Sequence, residues 1–482
     1  MTNLTKSLGA VQLFSIGFGG IVGVGWIVYM GLWFTQAGPV GTVLAFLVGG
    51  LLMALVGLCY AEIGAMYPVA GGEAVYAYGA FGRIASFTVG WALVLMMTAV
   101  VPYVSIGLAW ILDALVPGIG GPVLYSWRGQ PIHALGLVIA LVWTAWLGVL
   151  NYRGIHGAAK FQDWLTYGKI GISLLFFGAG IFGGSTANLE PMFVMAKDGT
   201  IWAGFVAVLA TTPWFFGGFN EISQVMEERS EGTSTRTLGL IVVLSIFAAS
   251  GFYALAALAA GMVGPWQQIV TADLPVAAAF RMAFGSEFLA RVVLVAGLFG
   301  IVTVGNGASI GATRLLYALG RARMISPGFT KLHPVYRSPV TAILFVTAFG
   351  LAGDFLGRSG IAPIVNVGSA AACLAYLFTS LAVWKLRRSE PDRPRPYRIP
   401  GGGLVPMLAV IGSVALMVSS IRQQWLDAKG GFPLEWVVMA VWAALGVAMF
   451  RAAAPARAGQ SEAAERRTIM GGDESGVEGA AP

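Results

Sequence analysis

The stretch "FSIGFGGIVGVGWIVYMGLWF" (residues 14–34) is long and apolar enough to cross a bilayer, yet six of its residues are glycine. Each glycine inside a helix costs about 1 kcal/mol relative to alanine. In hydrocarbon, an interrupted helix also leaves backbone groups without water to bond. The density of glycine around Gly23 and Gly25 therefore predicts a membrane helix that is interrupted for a functional reason.

The composition of the whole chain agrees with a membrane protein. Of its 482 residues 57% are hydrophobic and 11% are charged, with a mean hydropathy of +0.78, whereas soluble proteins carry about 25% charged residues. The two cysteines and three histidines lie within or at the ends of apolar segments and lack metal-ligand spacing. We expect no disulfide framework, no metal site and no cofactor.

Apolar runs of about 20 residues predict membrane-spanning helices. Twelve such spans are predicted, so the expected fold class is an all-α membrane protein. The spans cover residues 12–36, 41–61, 84–112, 132–150, 162–183, 201–222, 237–263, 289–312, 338–356, 361–385, 403–421 and 433–451.

The 29 Lys and Arg residues lie mostly on the side of the predicted bundle that carries the N-terminus. The positive-inside rule places this side in the cytoplasm. We therefore expect a multi-pass plasma (inner) membrane protein with both termini cytoplasmic. Because topology explains the net charge of +7, nucleic acid is not an expected partner, whereas membrane lipid is.

The spans and loops divide the chain into five regions. A polar tail without hydrophobic periodicity is expected to be disordered. The regions are a cytoplasmic N-terminus (1–11), a ten-helix core (12–385), a cytoplasmic loop (386–402), two further helices (403–452) and the tail (453–482).

A second interruption occurs in "FVAVLATTPWFFGGFNEISQV" (205–225), which contains Pro213 and the pair Gly217-Gly218. The spacing between spans one and six recurs between spans three and eight and between spans five and ten. This spacing, with two broken helices in corresponding positions, is typical of transporters built from inverted repeats. The prediction is five helices plus five, followed by two more. Close helix packing at small residues is the alternative reading of the glycines.

Four stretches resemble the amino acid–polyamine–organocation (APC) transporter superfamily, in the same order along the chain. They are "GGIVGVGW" (19–26), "CYAEIGAMYPVAGGEAVYAYGAFG" (59–82), "GATRLLYALGRARMISPGFTKLHPVYRSPV" (311–340) and "RPYRIPGG" (395–402). The resemblance to amino acid permeases implies the LeuT-type fold. In that fold the substrate binds near mid-membrane, between a bundle of helices 1, 2, 6 and 7 and a scaffold of helices 3, 4, 5, 8, 9 and 10.

The chemistry of the predicted breaks suits an α-amino acid. Unwinding a helix exposes N–H groups, which bind a carboxylate, and carbonyl groups, which bind an ammonium. The N–H groups of Gly23, Val24 and Gly25 are expected to bind the carboxylate, and carbonyl groups near Gly20 and Ile21 and around Trp214 and Phe215 are expected to bind the ammonium. Selection of the substrate side chain is assigned to Trp26, Met97, Trp214, Phe216 and Asn306, with packing as an equal alternative for the aromatic residues. The predicted substrate-binding residues are Gly20, Ile21, Gly23, Val24, Gly25, Trp26, Met97, Trp214, Phe215, Phe216, Gly217, Asn220 and Asn306.

Lys169 stands inside the fifth span. A lysine in the middle of a membrane helix costs about 2.5–3.5 kcal/mol on insertion scales and marks a functional site, with snorkelling to the interface as the alternative. The resemblance implies that its ammonium occupies a position where sodium-coupled relatives hold sodium, near Thr303. We therefore expect a sodium-independent symporter or antiporter, with protons as the candidate coupling ion.

Glu221 departs from the pattern of the superfamily, which has an acid where this chain has Asn220. It is assigned to coupling or gating, with pairing to a nearby lysine or backbone group as the alternative. The run Glu227-Glu228-Arg229 resembles an acidic pair that forms a cytoplasmic gate, but a solvated charge run explains it equally well.

Together these features favour a secondary transporter of an amino acid or a related amine. A polyamine is the second substrate class. It has no carboxylate and favours sites with buried acids, whereas the broken regions contain a single acid, Glu221. An amino-acid sensor that binds without transport is a further alternative. An enzyme is disfavoured, because no span carries a nucleophile–base pair, a metal cluster or a phosphate loop.

Overall fold

The chain is almost wholly helical in the computed structural model. The model describes residues 8–67, 71–153, 158–196, 199–224, 230, 232–428, 430–459 and 461–470. In chain order the helices are α1 (Ala10–Ile21), α2 (Gly25–Val28), α3 (Met30–Met66), α4 (Gly72–Phe81), α5 (Arg83–Leu115), α6 (Ala134–Arg153), α7 (Ala158–Gly183), α8 (Trp202–Leu209), α9 (Thr212–Phe215), α10 (Glu221–Gln224), α11 (Thr235–Val263), α12 (Trp266–Ile269), α13 (Pro275–Phe284), α14 (Glu287–Arg321), α15 (Val340–Asp354), α16 (Ile361–Ser389), α17 (Leu404–Asp427), α18 (Leu434–Ala452), α19 (Ala454–Arg457) and α20 (Glu462–Met470).

An antiparallel hairpin of strands β1 (Val123–Trp127) and β2 (Gln130–His133) connects α5 to α6. Short 3₁₀ helices occur at Thr186–Leu189, Pro327–Thr330 and Arg358–Gly360. The two described strands pair with each other, so their backbone polar groups are satisfied within the protein. A chain that crosses a membrane needs such internal pairing.

Ten helices in the described part of the chain are long and apolar enough to cross a membrane, judged by length and composition. Two shorter apolar helices, Trp202–Phe215 and Val340–Asp354, lie where the sixth and ninth spans are predicted. The protein is therefore a multi-pass membrane protein. The count differs from twelve because broken or short segments fall below the length that a straight span needs.

The end of the first predicted span and the whole of the second lie in α3, which has a kink with non-helical backbone at Gly38. The φ angle of Gly38 is 75°, and a side chain there would meet the backbone of Met192. Pro39 follows and cannot donate the hydrogen bond that a straight helix requires. The kink thus lies between the predicted boundaries at residues 36 and 41.

Both predicted interruptions are present. α1 ends at Ile21 and α2 begins at Gly25, while the sixth segment is divided into α8, α9 and α10. The core around them is built by α11 packed on α3, α14 packed on α5, and α16 packed on α5 and α17.

The loop 386–402 is fixed to the end of α3 by Glu62, a carboxylate with no solvent exposure. Arg387 Nε donates to Glu62 Oε1 at 2.8 Å, and the N–H of Ile399 donates to Oε2 at 2.8 Å. The guanidinium of Arg395 lies 3.5 Å from the same carboxylate. A buried charge of this kind needs such pairing, so the "RPYRIPGG" stretch has a structural role.

The tail differs from the sequence prediction of disorder from residue 453. α19 and α20 lie within it, and residues 471–482 are outside the described part of the chain. Glu465 of α20 is buried and pairs with Arg83, its Oε1 accepting from Nε at 2.6 Å. The polar composition of the tail gave no indication of this helix. The ion pair of Glu465 with Arg83 of α5 helps to hold it, and hydrophobic periodicity does not reveal such a contact.

Cys59 and Cys373 are free buried thiols. Within the described residues, no group of three or more His, Cys, Asp or Glu side chains is arranged to hold a metal ion.

Candidate functional site

The break between α1 and α2 leaves backbone groups without helical partners. The N–H groups of Gly23 and Val24 have no backbone acceptor within the described residues. The carbonyl of Gly23 lies against Gly300 of α14, where a Cβ atom would stand 2.7 Å from the oxygen. Glycine at position 300 therefore lets the unwound backbone lie directly on the neighbouring helix.

The break between α9 and α10 meets the first break backbone to backbone. Gly218 has a φ angle of 129°, and a Cβ atom on it would overlap the peptide that joins Gly20 to Ile21. Only glycine satisfies both requirements. Asn220 stabilises the turn, because its Oδ1 accepts from the N–H of Gly218 at 3.0 Å.

A small cavity of about 40 Å³ lies where the two breaks meet. Backbone of both breaks forms one part of its wall, and apolar side chains of α5 and α14 form another. The lining residues are Gly20, Ile21, Gly23, Gly25, Met96, Met97, Val100, Tyr103, Trp214, Phe215, Gly217, Gly218, Asn220, Glu221, Tyr253, Val304 and Ala308.

Polar side-chain atoms of the cavity wall lack protein partners. Nδ2 of Asn220 and the hydroxyl of Tyr103 are buried and have no hydrogen-bond partner among the residues that the structure describes. Buried polar groups normally have one, so both groups are available to a ligand. The Tyr103 hydroxyl lies 3.0 Å from the point where a Gly25 Cβ would stand, which puts it beside the start of α2.

Tyr253 of α11 also belongs to the wall. Its hydroxyl donates to the carbonyl of Ile21 at 3.0 Å, so this carbonyl, predicted to face the substrate ammonium, already has a donor. The carbonyl of Gly20 accepts no hydrogen bond from any described residue. Of the two predicted carbonyls, Gly20 is thus the freer.

Lys169 of α7 is fully buried behind the first break. Its Nζ donates to the carbonyl of Val22 and lies 3.4 Å from both the carbonyl of Gly19 and Oγ1 of Thr303. The C-terminal end of a helix carries partial negative charge that favours a cation. The structure therefore brings Lys169, the end of α1 and Thr303 together, as predicted, and snorkelling to the interface is ruled out by its complete burial.

Four predicted substrate-binding residues lie outside the cavity wall. Trp26 packs between Phe176 and Phe252, and Phe216 packs on Phe46 and Tyr253. The side chain of Val24 faces Gly107 and Gly297. Asn306 is half-buried and its Oδ1 has no partner. The placement of Val24, Trp26 and Phe216 favours packing, because a helix turns by about 100° per residue and so directs neighbours of lining residues elsewhere.

Other lining residues are absent from the sequence prediction. Tyr103 and Tyr253 lie in long apolar spans whose buried faces cannot be distinguished by periodicity, since these helices are apolar all round. A tyrosine inside an apolar span is the sequence feature that could have indicated these two lining residues. The remaining ones are Met96, Val100, Gly218, Val304 and Ala308. The run Glu227-Glu228-Arg229 lies outside the described residues.

Comparison with known proteins agrees with this geometry. The "Amino acid permease" family model matches residues 8–447. The chain is 26% identical to the "Branched-chain amino acid permease BcaP" of Bacillus subtilis (strain 168), and the alignment covers 93% of each chain. It is 27% identical to the "Methylthioribose transporter" of the same organism, again over 93% of each chain. It is 27% identical to that organism's "Glutamate/serine transporter AimA", over 88% of this chain and 78% of the relative.

These relatives are transporters, and the family model extends across nearly all of the predicted spans. The chain belongs to the amino acid permease family of the amino acid–polyamine–organocation superfamily.

Proposed function

We propose that this protein is a secondary active transporter that moves an amino acid or a related amine across the plasma membrane by alternating access. The observation that carries the proposal is the cavity between two helix breaks that touch at Gly218 and Gly20. Motion of one broken helix must change the walls of this cavity, because both breaks contribute to it. Membership of a permease family makes transport the expected use of such motion.

The proposed architecture is the LeuT-type fold, with twelve membrane-spanning segments and a five-plus-five inverted repeat. It is supported by the two interrupted helices, which occupy corresponding positions in the two halves. The excess of Lys and Arg on the side of the N-terminus supports cytoplasmic termini.

The proposed substrate is a zwitterion with an apolar side chain. The N–H groups of Gly23 and Val24, which have no backbone acceptor within the described residues, suit a carboxylate, and the free carbonyl of Gly20 suits an ammonium. The rest of the wall includes Met96, Met97 and Val100, which would accommodate an aliphatic side chain. The similarity to a branched-chain amino acid permease supports the same choice.

Sodium independence is proposed from the position of Lys169. Helix ends and unwound carbonyls are the groups that coordinate sodium in transporters of this kind. Here the ammonium of Lys169 contacts the carbonyls of Gly19 and Val22 and the hydroxyl of Thr303. A fixed positive charge at this place leaves coupling to protons, or exchange of one substrate for another.

A second candidate substrate is an amine without a carboxylate, such as a polyamine. The carboxyl group of Glu221, which lines the cavity, favours it. An amino-acid sensor remains a distinct function for the same site, since binding alone requires no conformational cycle.

The proposal is tested by uptake of labelled amino acids and polyamines into proteoliposomes under imposed proton or sodium gradients. We expect saturable accumulation of an aliphatic amino acid that does not depend on sodium. Binding without accumulation would support the sensor, and accumulation driven by a sodium gradient would contradict the role proposed for Lys169.

A further inference from the structure

The carboxyl group of Glu221 lies in the cavity wall, close to Gly20 of α1 and Gly307 of α14. A Cβ atom built on Gly20 would stand 2.8 Å from Oε2, and one built on Gly307 would stand 2.6 Å from the same oxygen. Two glycines on two different helices thus leave room for one carboxyl group. Alanine at either position would displace it.

No group in the described part of the chain neutralises this carboxyl group. In the part of the chain that the structure describes, Glu221 forms no ion pair and its side chain accepts no hydrogen bond. Lys169, the lysine buried behind the first break, is directed instead to the carbonyls of Gly19 and Val22 and to Thr303. Pairing of Glu221 with a nearby lysine, the alternative drawn from sequence, is therefore not found.

The departure from the superfamily pattern explains this position. Asn220 stands where the superfamily has its acid, and its side chain bonds the N–H of Gly218 and so closes the turn. One residue later, the helix has rotated by about 100°. This rotation directs Glu221 toward the peptide of Gly20 and not into the turn.

We propose that Glu221 is the counter-ion for the substrate ammonium, and hence the residue that makes this site specific for amines. The assignment rests on the proposed function and deepens it. The ammonium lies between the Glu221 carboxylate and the free carbonyl of Gly20. The carboxylate of the substrate lies at the other end of the break. Within the described residues, the N–H groups of Gly23 and Val24 have no backbone acceptor there, and the hydroxyl of Tyr103 has no hydrogen-bond partner.

A buried carboxylate without a partner is costly, and a ligand ammonium removes this cost. A ligand that carries a hydroxyl in place of the ammonium cannot do so. The site should therefore reject the 2-hydroxy acid that corresponds to its amino acid substrate. It should also retain measurable affinity for the amine that lacks the carboxylate, because the Glu221 end of the site is unchanged for this ligand.

The test is a competition experiment on the purified full-length protein in detergent, without any gradient. Leucine, 2-hydroxyisocaproate and isoamylamine compete with whichever labelled amino acid the uptake panel identifies. In the wild type we expect leucine to be preferred over the hydroxy acid. In Glu221→Gln this preference should fall at least about 30-fold, since loss of one partner of a buried charge pair costs about 2–5 kcal/mol.

A second variant separates the charge from the fold. Gly307→Ala keeps the carboxyl group of Glu221, but the added Cβ atom displaces this group from its present position. We therefore expect a smaller loss of the preference for leucine over the hydroxy acid. Gly251→Ala is the matched control, because a Cβ atom on this α11 residue meets nothing within 4 Å. It should leave the preference unchanged.

The proposal is overturned if Glu221→Gln and Gly307→Ala both keep the wild-type preference for leucine over the hydroxy acid. It is also overturned if Glu221→Gln keeps the preference for leucine over the hydroxy acid but loses gradient-driven uptake, since Glu221 would then serve coupling alone. A wild-type protein that binds no amino acid contradicts the proposed function itself, which is a different outcome from either of these.

Discussion

Replacement of Lys169 by alanine tests the role of the buried cation behind the first helix break. In the wild type, Nζ donates to the carbonyl of Val22 and lies near the carbonyl of Gly19 and the hydroxyl of Thr303. Thr303 belongs to α14, so the ammonium joins the end of α1 to a different helix. Alanine removes the contacts of the ammonium and leaves an oxygen-lined space, whereas the hydrogen bond that Oγ1 of Thr303 donates to the carbonyl of Gly19 at 3.3 Å does not involve the lysine.

The size of the effect follows from two charged hydrogen bonds. A bond between a charged donor and a carbonyl contributes about 1.5–3 kcal/mol, so the contact of α7 with the end of α1 loses about 3–6 kcal/mol. A difference of this size shifts a conformational equilibrium by about 10²–10⁴. We therefore expect uptake by Lys169→Ala to fall at least 100-fold.

Folding should be affected much less than transport. The unpaired carbonyls destabilise the variant, but removal of a buried ammonium relieves a desolvation cost of several kcal/mol. These two effects offset each other, so the thermal unfolding midpoint should change by no more than about 5 °C. Lys385→Ala is the control, because this lysine lies on the exposed surface and its loss should change neither quantity.

The assay is uptake of the labelled substrate into proteoliposomes, with sodium or choline as the external cation. The vacated space is ringed by oxygen atoms, which are the ligands that sodium takes in related transporters. Sodium should partly restore binding in Lys169→Ala and have no effect on the wild type. Uptake by the variant at the wild-type rate would refute the reasoning.

Three further substitutions test other contacts. Gly218→Ala should abolish uptake and lower the unfolding midpoint by at least about 5 °C, since a φ angle of 129° and the adjacent Gly20–Ile21 peptide exclude a Cβ atom. Tyr253→Phe removes the donor to the Ile21 carbonyl and should lower uptake about tenfold, because an unsatisfied buried acceptor costs about 1–3 kcal/mol. Unchanged uptake in this variant would argue against the contact. Arg358→Gln breaks partly exposed ion pairs with Asp273 and Asp113, so calorimetry should show a fall of only about 2–4 °C with an unchanged KM.

The breaks could be predicted from sequence because glycine and proline act through the local backbone. Gly23, Gly25, Pro213 and Gly218 interrupt their helices at the predicted places. Lys169 could be predicted for a similar reason: a charge inside an apolar span has few satisfactory partners other than helix ends.

The rest of the cavity depends on which face of each helix is turned inward. Tyr103, Tyr253 and Val304 come from helices that are apolar on all sides, so hydrophobic periodicity carries no information about their orientation. Trp26 and Phe216 were assigned to the substrate because they are aromatic and adjacent to the breaks. Their positions show that adjacency in sequence does not give direction in space.

The direction of Glu221 was uncertain for the same reason. It depends on Asn220, whose side chain bonds the backbone of Gly218 and so fixes where the helix resumes. A contact between a side chain and the backbone two residues away sets the rotation of α10. This rotation cannot be read from composition or spacing.

The central claim is that an amino acid binds across the two helix breaks in one orientation. The most direct measurement is an experimental structure of the full-length protein with the transported amino acid bound. The account predicts density for the carboxylate beside the N–H groups of Gly23 and Val24, and density for the ammonium between Gly20 and Glu221. A substrate bound outside this cavity, or bound with its two charges reversed, would contradict it.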